Sequence, residues 1–143
     1  MNKELEKSIL SCLLLNPKLM EQLILEDKHF VSTQRIWQFM KAFYNKFKTF
    51  DIRLMVSICK DKWQIINYIM LLLDIEVTTH NFDKYQKQLI ELYEESKKEK
   101  WIIEKIYELA NNLYVRNIEL ENFDNELKKI YKDANEIFKG EKE

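Results

Sequence analysis

One glycine and one proline in 143 residues constrain this chain more than any other feature. A β-sandwich or a wound α/β sheet needs turn-forming residues at many strand ends. Here Pro17 stands near the start and Gly140 lies in the C-terminal tail. Long helices joined by short polar connections remain, so the expected fold is all-α. The same scarcity excludes a glycine-rich phosphate loop, which needs several backbone amides brought close to a ligand. Hydrophobic residues make up 46% of the chain and aromatics 13%, enough for a packed core.

Periodicity divides the chain. Asn81 to Tyr114 runs without Gly or Pro, and Leu89, Leu92, Ile102, Ile103, Ile106, Leu109, Ala110 and Leu113 recur near the helical spacing of three and four. A continuous helix of that length would reach roughly 50 Å, too long for a domain of this size to cover. A partner helix from about Leu120 to Phe138 carries Phe123, Leu127, Ile130, Tyr131, Ala134 and Phe138. The expected architecture is a compact multi-helix lobe over residues 1–80, a projecting helical hairpin over 81–139 and a charged tail over 140–143. The polar run Glu94 to Lys100 predicts a solvated or hinged turn of the long helix, and Val115 to Glu119 the hairpin bend.

In the lobe, Asn2 to Leu15 predicts a helix with acidic residues at its positive end. Asn16-Pro17 restarts a short amphipathic helix. Ser32 or Thr33 is placed to cap a helix reaching Phe47, and Asp51 one reaching Cys59. The stripe Ile36, Trp37, Phe39, Met40, Phe43, Tyr44 and Phe47 reads as core. Its functional alternative is a base-stacking platform beside Arg35, Lys41, Lys46 and Lys48. Trp63, Ile66, Ile69, Met70 and Leu73 predict a helix buried nearly all round.

Candidate chemistry is sparse. His29 and His80 are isolated, and no Cys or His pair has a zinc spacing. Cys12 and Cys59 read as buried free thiols. Neither a catalytic cluster nor a cofactor or metal site is expected, so the chain reads as non-enzymatic. Lys+Arg 23 against Asp+Glu 24 gives a net charge of -1, which offers no general attraction to nucleic acid or membrane. No apolar run approaches the ~20 residues of a membrane span, and no secretion signal opens the chain; the expected location is cytoplasmic. Tyr93, Trp101, Ile102, Ile106, Leu109, Leu113, Leu127, Ile130 and Tyr131 offer more apolar surface than two helices can bury between themselves. They are the candidate interface, and a homodimer or higher homo-oligomer is the expected state.

The order of elements resembles the N-terminal domain of DnaB-type replicative helicases. The likeness starts at Glu6-Lys7-Ser8-Ile9-Leu10 with Leu13-Leu14 and continues through His29-Phe30, Arg35-Ile36-Trp37 and Phe50-Asp51 with Leu54. Thr78-Thr79-His80-Asn81-Phe82 with Tyr85 is similar to that family's linker, and Lys100 to Tyr114 to its hairpin helix. Ser11 stands where the family has glycine, Lys100 where arginine is common, and the hairpin helix is about one turn longer. The family's ATPase domain has no counterpart here. The resemblance implies a non-catalytic collar-like domain, from a mobile element or phage, that acts in DNA replication by binding a replicative helicase or primase. A free-standing protein is favoured over a fragment of a helicase. A DNA-binding accessory protein and an inhibitor or adaptor of an unrelated partner are the alternatives.

Overall fold

The computed structural model describes residues 2–116 and 118–139. All regular structure among them is helical: α1 (Lys3–Leu15), α2 (Gln34–Phe47), α3 (Ile52–Ile58), α4 (Trp63–Leu73), α5 (Phe82–Tyr114) and α6 (Leu120–Ile137). Short 3-10 turns cover Pro17–Gln22, Asp27–His29 and Thr79–Asn81. The segment after Asn16 is therefore a 3-10 turn with Pro17 in its first turn, not an α-helix. The tail expected at 140–143 lies outside the described residues.

The chain divides into two compact units, Met1–Ile90 and Glu91–Glu143. The first takes in the opening residues of α5 because Phe82 and Leu89 belong to its core, with Tyr85 and Ile90 packed against it. Gln86, fully buried, fastens the same stretch: its side-chain oxygen accepts from the Ile24 amide (2.7 Å) and its nitrogen donates to the Gln22 carbonyl (3.3 Å).

α1 is the central element of this lobe. Glu6 and every residue from Ile9 to Leu14 are buried, far more than the single stripe of an ordinary surface helix. It packs closely on α4 and on the turn Pro17–Gln22. Ser11, fully buried, donates its hydroxyl to the Leu72 carbonyl at 2.8 Å. A small residue permits the close approach of α1 and α4, and the hydroxyl gives a second donor to a carbonyl at the end of α4 that also accepts the Ile75 amide (3.2 Å). That is a physical reason for serine to serve where the resembled family has glycine.

Glu6 is only 1% exposed. One of its oxygens accepts from the Ser32 amide (3.0 Å), the Thr33 amide (3.1 Å) and the Thr33 hydroxyl (2.8 Å). Thr33 occupies the cap position of α2 but makes no side-chain capping bond of its own. The acid comes instead from α1, at the positive end of α2, where a carboxylate is favoured. Asp51 does cap α3 locally, accepting from the Leu54 amide at 3.2 Å.

The α2 stripe is core. Trp37, Met40 and Phe43 are buried, and Trp37 stacks on Phe30 with ring centroids 4.4 Å apart. Its indole nitrogen donates to Asp27 (2.8 Å), which also receives Lys41 (3.0 Å). α4 departs from expectation. Ile69 and Leu72 are buried, but Trp63 is 65% exposed, and Met70 and Leu71 are exposed as well. The helix packs one face only, so apolar composition overstates its burial.

Among the described residues, two other than glycine take left-handed backbone: Lys48 (φ 58) at the end of α2 and Arg116 (φ 61) after α5. Each does the work a glycine does at a helix end. Lys48→Gly should therefore raise unfolding stability by about 0.5–1 kcal/mol, because relief of the left-handed conformation outweighs the added freedom of the unfolded chain. Urea denaturation measures it.

His29 carries a pH dependence. It is buried, and its Nδ1 accepts the Glu26 amide at 2.9 Å, which requires that nitrogen to be unprotonated. Burial first, then the nearby Lys28 charge, pull the imidazole below its ordinary value of 6.5, against smaller opposing effects of Glu26. The unfolded chain therefore takes up the proton first. Stability is constant from this source above about pH 6.5 and falls as the pH drops through that value towards the folded one. Asp27, held below 3.8 chiefly by the Trp37 and Lys41 hydrogen bonds, contributes stability that is lost only in stronger acid. Denaturation midpoints should decline as the pH falls below about 6.5, and this decline, above the range where carboxylates titrate, should be absent in His29→Gln.

Candidate protein interface

The second unit contains the later part of α5 and all of α6. α5 continues as unbroken α-helix through the polar run 94–100. Lys97 pairs with Glu94 (3.5 Å) and lies over the Tyr93 ring. Lys98 donates to Asn135 on α6 at 2.7 Å, and Trp101 meets Phe138 edge-on at 6.3 Å. These two contacts bring the end of α6 back against residues 98–101 of α5, so the chain that leaves α5 at Tyr114 returns along the same helix. Leu109 and Ala134 are the buried residues among those described in the unit. The bend between the helices includes Asn117, which lies outside the described residues.

α5 carries apolar doublets: Ile102-Ile103, Ile106-Tyr107, Leu109-Ala110 and Leu113-Tyr114. In each, the first member is buried or half-buried and the second is exposed. The doublets recur at helical spacing, so their second members form a separate stripe along one face. In that stripe Ile103, Tyr107 (74% exposed) and Tyr114 are open to solvent. Leu120, Tyr131 and Ile137 on α6 are exposed too.

The residues expected at an interface separate accordingly. Leu109 is buried within the unit, and Ile102, Ile106, Leu113, Leu127 and Ile130 are half-buried. Trp101 and Tyr93 are half-buried beside Phe138 and Lys97. Tyr131 is about half exposed. Missing from the expected interface were Ile103, Tyr107, Tyr114, Leu120 and Ile137. The signal was the doubling itself: two adjacent apolar positions per turn cannot both face one partner helix.

No group of three or more His, Cys, Asp or Glu gathers among the described residues. Burial pushes the Cys12 thiol up to about 11 and raises Cys59 as well, so both stay protonated at neutral pH. Ser8 and Ser11 donate to backbone carbonyls. No helix among the described residues is long and apolar enough to cross a membrane.

The family model of the DnaB-like helicase N terminal domain matches residues 1–91, which is the first compact unit and the one residue after it. No curated protein matches the chain, and no solved structure does. Glu6 and Phe82, both quoted above for the resemblance, are among the largest fully buried side chains of that unit. The chain belongs to the DnaB-like helicase N-terminal domain family, which ties its role to that of a replicative helicase.

Proposed function

We propose that this protein is a non-enzymatic accessory of DNA replication that self-associates through its hairpin and docks on a replicative helicase or primase in the cytoplasm. The observation that carries the reading is the exposed stripe Ile103, Tyr107, Tyr114 on α5, in the unit that follows the family match. Apolar surface of this kind marks an interface, and tyrosine is among the residues that contribute most at such contacts. A two-fold pair of hairpins is the simplest arrangement that covers the same stripe on both copies. Family membership supports the choice of a helicase or primase as the further partner. Hydrolysis of ATP is not part of the role, since no glycine-rich phosphate loop stands in the sequence. The test mixes the purified protein with a purified replicative helicase and a purified primase in separate binding experiments. Saturable binding to either is expected. Binding to neither, by a protein shown to be folded, would refute the partner assignment.

A further inference from the structure

The aromatic platform suggested by the α2 stripe is closed, because Trp37, Met40 and Phe43 are buried. The exposed indole of the lobe is Trp63, at the first position of α4. It borders a groove between the start of α2 and α4. The groove comprises two adjoining hollows of about 210 Å³ and 200 Å³ that share Arg35, Gln64 and Ile65. Trp63 and Lys62 line the smaller hollow, and Tyr68 the other. The Tyr68 hydroxyl is buried with no hydrogen-bond partner, an uncommon state for a buried polar group. Arg35 and Lys62 line the groove together with the exposed Trp63, and Asp61 is the one carboxylate among its lining residues.

We propose that this groove binds single-stranded nucleic acid: Trp63 stacks on an unpaired base, Arg35 and Lys62 hold the flanking phosphates, and Gln64 offers hydrogen bonds to the base edge. A flat aromatic face beside cations is how strands are held without sequence preference. A duplex, whose bases are already stacked, presents no free face to the indole. The net charge of -1 confines the attraction to this groove, so binding is weak and its salt dependence shallow. Two phosphates neutralised imply an affinity loss of about 25-fold from about 20 to about 200 mM salt. The site lies in the lobe and does not rest on the hairpin reading.

The experiment titrates the full chain with a fluorescein-labelled six-nucleotide oligo(dT) at low salt, reading anisotropy. Saturable binding is expected. Trp63→Ala should weaken it about tenfold or more, and Arg35→Ala should lower both affinity and salt slope. Tyr107→Asp, on the hairpin, should leave binding per chain unchanged. Both groove residues are exposed, so circular dichroism of the variants should match the parent. Absence of binding at low salt would overturn the proposal, as would unaltered binding by the Trp63 variant. Equal competition by a poly-glutamate peptide would also overturn it, since carboxylates alone would then suffice.

Discussion

Replacing Glu6 with alanine is expected to cost about 3 kcal/mol of folding stability, the largest single loss outside the apolar core. The carboxylate is buried and receives three donors, two of them backbone amides at the start of α2. Alanine removes the acceptor and leaves the buried Thr33 amide and hydroxyl without it. Thr33→Val deletes one donor and keeps the shape, so it should cost only about 1 kcal/mol. Combined, the two substitutions should cost clearly less than the sum of the single losses, because the hydroxyl-carboxylate bond is shared. Urea denaturation of the four proteins tests this. A Glu6→Ala protein as stable as the parent would show that α2 needs no cap from α1.

The reason Glu6 matters was not visible in its local sequence. An acid in the first turn of a helix reads as a favourable charge on its own helix, and Glu4 and Glu6 were equivalent on that view. What distinguishes them is tertiary: Glu4 is exposed, whereas Glu6 reaches the start of α2, more than twenty-five residues away in the chain. The all-helical class was legible because it follows from what glycine and proline permit. The extent of α5 was legible because no residue in it opposes a helix. Burial of individual faces was not. Trp63, Met70 and Leu71 sit on a helix apolar on every side, and composition alone could not say which side meets α1. In the hairpin, periodicity located the apolar positions but merged two stripes into one. Only the fold distinguishes Ile106, half-buried within the unit, from Tyr107 beside it, open to solvent.

That distinction sets the second large expected effect. Tyr107→Asp should weaken self-association at least about 100-fold, from roughly 3 kcal/mol for a carboxylate forced out of water without a counter-ion. At 74% exposure in the single chain, an aspartate there is well solvated in the monomer, so the fold should be intact. Ile106→Asp is a poorer probe. Its half-buried side chain means a charge would also disturb the hairpin itself, and dissociation could not be separated from local unfolding. Tyr107→Phe should retain most of the association, because the ring supplies the buried area.

Sedimentation velocity on the parent protein and on Tyr107→Asp, both at tens of micromolar (a rough ceiling for a useful interface), tests the central claim most directly. The account predicts a dimer or larger species for the parent, and a folded monomer of unchanged helical content for the variant. A parent that sediments as a monomer at that concentration, or a variant that associates as strongly as the parent, would contradict it.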